Sequence, residues 1–186
     1  PKYLRSFIFD FKNMNLYQLF YTMFRSLLLH IVFIYNTRGY ICTKTEMGIE
    51  YVYNTPFVLE NETRVSEWLD KAVEKEGFSI GEVVYAFFND NDLKDLNNKH
   101  LKHDYFTDVI SFNDSVGTLL NGNIAISVDR VKDNAVRYQT SFDDELLRVM
   151  VHGLLHFMGY NDSSEKETQQ MRDKEDDNLK TFHVEQ

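Results

Sequence analysis

Cysteine is nearly missing from this chain. The single copy, Cys42, has no partner for an intramolecular disulfide and no companions for a thiolate zinc cluster. That usage suits a reducing cytoplasm, which is the expected location. Positive charge is short as well: 20 Lys and Arg stand against 29 Asp and Glu, a formal charge of −9. A protein that coats nucleic acid indiscriminately has the opposite sign, so any such contact must be local. Long apolar runs are missing too. Ser26 to Tyr35 (SLLLHIVFIY) is apolar but short, contains His30 and follows Arg25, whereas a membrane span needs about 20 apolar residues. A signal peptide would need a small-residue cleavage site, and Ile41-Cys42-Thr43-Lys44 is a poor one. Neither a membrane nor DNA is expected as a partner. What remains, at 186 residues, is one domain's worth of chain with enough length for a real core.

Against that background one stretch stands out, Glu145 to Asp162 (ELLRVMVHGLLHFMGYND). Leu146, Leu147, Val149, Met150, Val151, Leu154, Leu155, Phe157 and Met158 surround it with apolar side chains, so the spacing predicts a helix buried on most of its circumference. Thr140 or Ser141 can cap its start, Asp143 and Asp144 suit its first turn, and Gly159 can end it. His152 and His156 are four residues apart. On a helix this places two imidazoles on one face, with Cβ atoms roughly 5–6 Å apart and both rings within reach of one ion. Beyond Gly159 the chain reverses, so Asp162 can swing back to the same point. Two nitrogens and one carboxylate oxygen then fill three corners of a tetrahedral zinc and leave the fourth open, the pattern of a catalytic site. A metalloprotease would carry H-E-x-x-H with the Glu as base; here Gly153 follows the first histidine, and that reading loses its base.

The run His152-Gly153-Leu154-Leu155-His156-Phe157-Met158-Gly159-Tyr160-Asn161-Asp162 resembles the signature of the YbeY family of metal-dependent endoribonucleases, usually H-G-x-L-H-x-x-G-Y-D-H. The third histidine of that signature falls on Asp162. A carboxylate can ligate zinc there, so the resemblance implies His152, His156 and Asp162 as the ligands of one Zn²⁺ per chain, with another divalent ion as the alternative. The exchange leaves the centre near +1 instead of +2, which implies a less acidified bound water or a shifted metal preference.

Leu96 to Phe112 is similar to the family's second motif, L-N-x-x-x-R-x-x-D-x-x-T-[DN]-V-[IL]-S-F, at Leu96, Asn97, Asp104, Thr107 and onward. The arginine associated with RNA cleavage aligns with Leu101, which cannot bind phosphate. Lys102, one residue along, points elsewhere and lacks the guanidinium fork. His100 and His103 are candidates for phosphate contact, although exposed loop histidines commonly have no role.

The other elements follow from pattern. Ile49 to Val52 reads as a first strand, closed by Asn54-Thr55-Pro56, and Thr63 onward as a helix with Val65, Trp68, Leu69, Ala72 and Val73 on one stripe, ending at Gly77. Glu82 to Phe88 is a strand, and Asn89 to Asp92 a turn capping a short helix with Leu93 and Leu96. Asp92 and its neighbours lack the central Gly and twelfth-position Glu of a calcium loop. Asp108 to Phe112 is a strand; Asn121-Gly122-Asn123 reads as a turn into a strand from Ile124 to Val128, and a helix runs from Val131 to Tyr138. Ser163 or Ser164 caps a last helix that is almost all charge, with Met171 as one of few anchors, and reads as a solvated face. The crossover helix favours a parallel first pair, and the short Asp114 to Asn121 connection favours an antiparallel hairpin.

The expectation is an α+β fold, a mixed four-stranded sheet packed with helices, carrying the metal-binding histidines on a central buried helix. Residues 1–46 are read as an N-terminal extension outside the native domain, with Met47 as the natural start, since family members begin near Met47-Gly48-Ile49-Glu50; the alternative is a real helical extension docked on the domain. Residues 47–186 form the YbeY-like domain. The resemblance implies a single-strand-specific endoribonuclease acting in maturation of the 16S rRNA 3′ end and in ribosome quality control, with ribosomal RNA and the small ribosomal subunit as partners. His152, His156 and Thr107, the last at the cleft edge, are the catalytic candidates. Asp129, Asp133 and Glu165 are the nearest acids for a base, and Lys94, Lys99, Lys102, Arg130, Lys132, Arg137 and Arg148 the candidates for a basic strip. Two rivals remain, a metal-stabilised ribosome assembly factor that does not cut RNA and a metallohydrolase for another substrate.

Overall fold

Strand β1 (Gly48–Tyr53) leads through helix α1 (Glu62–Lys75) to β2 (Ser79–Phe88). Helix α2 (Asp90–Leu101), strands β3 (Val109–Asn113) and β4 (Leu119–Ser127), and helices α3 (Val128–Tyr138), α4 (Phe142–Phe157) and α5 (Glu165–Val184) follow. The computed structural model describes residues 47–102 and 104–184. The run Ser26 to Tyr35, Cys42 and the expected phosphate contact of His103 lie outside them. No described helix is long and apolar enough to cross a membrane.

The α1 crossover sets β1 parallel to β2, from Gly48 opposite Glu82 to Tyr53 opposite Phe87. Strand β4 also runs parallel to β2, and β3 folds back antiparallel on β4, with Val109 opposite Ile126. The sheet order is β1-β2-β4-β3, a mixed α+β arrangement. Alternation along the strands divides the two faces. Val83, Tyr85, Phe87, Ile124 and Ile126 join the main core with α1 and α4, while Ala125 and Ile110 pack with Leu93 of α2. Trp68 is buried in the main core and its indole N–H donates to the Asn178 carbonyl at 2.9 Å.

Three expectations are corrected. Asn121-Gly122-Asn123 is not a turn but the middle of β4. The reversal lies at Gly117 (φ +62°), between Val116 and Leu119, which bond to each other. Gly122 is needed for a different reason: with φ +146°, an added Cβ would sit 2.1 Å from the Phe112 carbonyl oxygen and 2.8 Å from Phe157 Cζ. Asn121 serves the register shift between Ile80 and Val83, its side-chain oxygen accepting from the Glu82 N–H at 2.9 Å. Val128 opens α3 instead of ending a strand, because Ser127 caps the helix by accepting from the Arg130 N–H at 3.1 Å. Finally, α5 is no wholly solvated face. It buries Met171, Glu175, Asn178 and Leu179.

Candidate metal centre

Helix α4 is apolar nearly all round and therefore sits in the core, against the sheet and between α3 and α5. Ser141 caps it, accepting from the Asp144 N–H at 3.0 Å. At its far end Gly159 (φ +91°) donates to the His156 carbonyl and Tyr160 to the Leu155 carbonyl, both at 3.0 Å, which turns the chain back. Gly153 brings the helix close to the sheet. A Cβ there would lie 2.7 Å from Ile124 Cγ2, so the Glu that a metalloprotease needs at this position has no room.

His152 and His156 project from one face, half-buried, with ring centroids 4.5 Å apart and planes at 88°. Their Nε2 atoms face each other at 2.9 Å. Each Nδ1 is committed elsewhere: that of His152 to Glu175 Oε1 at 2.7 Å, that of His156 to the Tyr160 carbonyl at 2.9 Å. A carbonyl and a carboxylate only accept, so both Nδ1 atoms carry hydrogen, and in the neutral rings both Nε2 atoms present lone pairs. Two lone pairs aimed at one point repel unless a cation lies between them. Asp162 completes the group, with Oδ2 4.0 Å from His152 Nε2 and its backbone carbonyl held by the Thr168 hydroxyl at 2.9 Å. All three ligand atoms lie within 4.8 Å of one another. Around a tetrahedral zinc, neighbouring ligand atoms stand roughly 3.3 Å apart, so the two Nε2 atoms would open slightly and the exposed Asp162 side chain would close by about 1.5 Å at most. The donor set therefore fits a divalent ion.

The electrostatics agree. Burial disfavours the His152 cation, but the Glu175 hydrogen bond and charge, with Asp108 and Asp162 nearby, outweigh it and hold its pKa above the ordinary imidazole value. Burial and the neighbouring His152 push His156 down. The two rings therefore differ in their hold on a proton, and an ion bound at both Nε2 atoms would displace any proton that His152 carries there.

Two clefts meet at the centre. One, about 590 Å³, is bordered by Arg148, Arg172, Glu145 and Glu175. The other, about 510 Å³, is bordered by Leu101, Tyr105, Thr107 and Asn113. Asp108, His152 and Asp162 border both. Thr107 is thus placed at the cleft edge, its hydroxyl donating to the Val109 carbonyl at 3.2 Å. The expected bases are not there: Asp129 accepts from the Asp90 N–H, Asp133 pairs with Arg130 at 2.8 Å, and Glu165 borders neither cleft. Much of the expected basic strip is already paired, Lys94 to Asp104, Arg130 to Asp90, Lys132 to Asp129, and Arg148 to Glu175 and Asp176. Sequence reasoning placed Asp108 only at the start of a strand, and it did not name Arg172, Thr168 or Glu175.

The family model described as Endoribonuclease YbeY matches residues 54–183. The chain belongs to the YbeY family. The YbeY named Endoribonuclease YbeY in Christiangramia forsetii is 43% identical over 138 residues, covering 74% of this chain and 96% of its own. The YbeY of the same name in Flavobacterium johnsoniae is 44% identical over 138 residues, covering 74% and 99%. A solution structure from Thermotoga maritima superposes with a TM-score of 0.53 at 26% identity, over 74% of this chain and 90% of that one. YbeY relatives are thus named for an endonucleolytic hydrolase of RNA.

Proposed function

We propose that this YbeY-family chain hydrolyses phosphodiester bonds within single-stranded ribosomal RNA, including the 3′ end of 16S rRNA, as part of small-subunit maturation and quality control in the cytoplasm. One Zn²⁺ per chain is held by His152, His156 and Asp162. The observation that carries this reading is the pair of Nε2 atoms, 2.9 Å apart with both Nδ1 atoms otherwise engaged, at the meeting point of two clefts. When bound, the ion supplies Lewis acidity toward a phosphoryl oxygen.

The chain's own groups do the rest. Glu175 and the Tyr160 carbonyl fix both rings in the ligating tautomer. Asp108 borders both clefts without belonging to the ligand set, and we assign it acceptance of the proton from the attacking water. Thr107 steadies the entry to β3 beside it. Arg148 is neutralised by its acids, so Arg172 takes the phosphate contact that Leu101 cannot make. Residues from Met47 on carry the function, and residues 1–46 are dispensable; a chain truncated to 47–186 should match the full chain in both assays below.

The test is cleavage of an end-labelled single-stranded oligoribonucleotide beside its duplex. We expect cutting of the single strand, loss with a chelator and restoration by Zn²⁺. Leu101 favours one rival, an assembly factor that binds ribosomal RNA without cutting. Tight binding with the RNA left whole at high protein excess would establish that rival.

A further inference from the structure

The second cleft has an unusual lining for a protein that handles a polyanion: among the described residues that border it there is no Lys or Arg. Leu101 is 45% exposed and Tyr105 56% exposed. The polar groups beside them are spent on the fold. The Thr107 hydroxyl serves the Val109 carbonyl, and the Asn113 amide donates to the Phe157 carbonyl at 3.3 Å while its oxygen accepts from the Ser115 N–H at 2.9 Å. Buried Asn97 donates to the Tyr105 carbonyl at 3.1 Å and so fixes the backbone that presents the ring. The nearby cation Lys94 is held by Asp104 at 3.1 Å and lies over the Phe106 ring. This cleft opens on His152, His156 and Asp162, so whatever enters it lies next to the scissile group. Away from the metal centre, the charged part of a nucleotide meets no Lys or Arg among the described residues of this cleft, whereas its flat uncharged part meets an apolar side chain and an aromatic ring.

We propose that this cleft is a nucleobase subsite, in which the base adjoining the scissile phosphate rests on Tyr105 and Leu101 while the phosphates keep to the Arg172 side. It rests on the RNA reading above for its ligand. Base stacking on an aromatic side chain tolerates any base and depends little on salt, unlike phosphate contact. The subsite would thus grip single strands, whose bases can be splayed out.

The experiment is equilibrium binding, by fluorescence anisotropy, of a single-stranded 2′-O-methyl oligonucleotide to the zinc-loaded full chain, repeated with one abasic position moved along the strand. Tyr105→Ala should weaken binding on the order of tenfold, with unchanged metal content and an unchanged slope of affinity against salt. Tyr105→Phe should bind like the native chain. One abasic position should weaken native binding by a similar factor and have no further effect in Tyr105→Ala. Unchanged affinity in Tyr105→Ala, or an abasic loss that adds to it at every position, overturns the subsite. If the binding pattern holds while RNA stays uncut, the subsite stands and the nuclease reading falls. If RNA is cut but Tyr105→Ala is silent, the reverse follows.

Discussion

Glu175 decides which nitrogen His152 offers and how strongly that nitrogen holds a proton. A metal must displace that proton, so loading should weaken as pH falls through the raised pKa of His152. Glu175→Gln removes the charge that raises it. We expect metal affinity at alkaline pH to drop about 10–100-fold, while the pH below which loading fails moves down; zinc titration across pH checks both. A midpoint that stays put would mean that Glu175 does not set the proton's hold. His152, His156 and Asp162 were legible in the sequence because helix periodicity and a glycine-bounded turn are local. Glu175 was not. It lies 23 residues beyond His152 in a helix of charges, where a buried acid spells the same as an exposed one and only the packing of α5 on α4 tells them apart.

At the scale of elements, the parallel and antiparallel pairings were legible because crossover length constrains them. The interior of β4 was not, since Asn-Gly-Asn is also a turn signal and the demand for Gly122 comes from Phe112 and Phe157, distant in sequence. Gly153 is the matching case on α4. Its Cβ-free surface lets the metal helix lie on Ile124, which is fully buried. Gly153→Ala should cost about 1–3 kcal/mol by overpacking, read as a lower denaturant midpoint. It should also weaken metal binding, because the histidines flanking this position shift with the helix. Native-like stability in that variant would show that Ile124 yields without cost.

For the whole molecule, two charge arguments matter. Glu76, just past α1, accepts from Lys174 at 2.6 Å and from the Tyr160 hydroxyl at 2.7 Å, tying α1, α5 and the turn after the metal helix together. Burial works against its charge, but these partners prevail and hold its pKa below the ordinary value. The stabilisation is therefore full at neutral pH and lost as pH falls through the folded-state pKa. Glu76→Gln should lower stability by about 1 kcal/mol at neutral pH, and urea unfolding should show the gap from the native chain closing in acid. The net charge of −9 excludes a broad electrostatic footprint, so affinity for single-stranded RNA should fall gently with salt. Arg172→Ala should flatten that slope by about 0.7, the share of one phosphate contact; an unchanged slope removes Arg172 from the RNA path.

The centre itself is tested most directly by the metal-to-protein ratio of the dialysed native chain beside that of His156→Ala. We expect about one zinc per native chain, as one tetrahedral site requires, and next to none in the variant. Equal metal content in the two proteins would contradict the site.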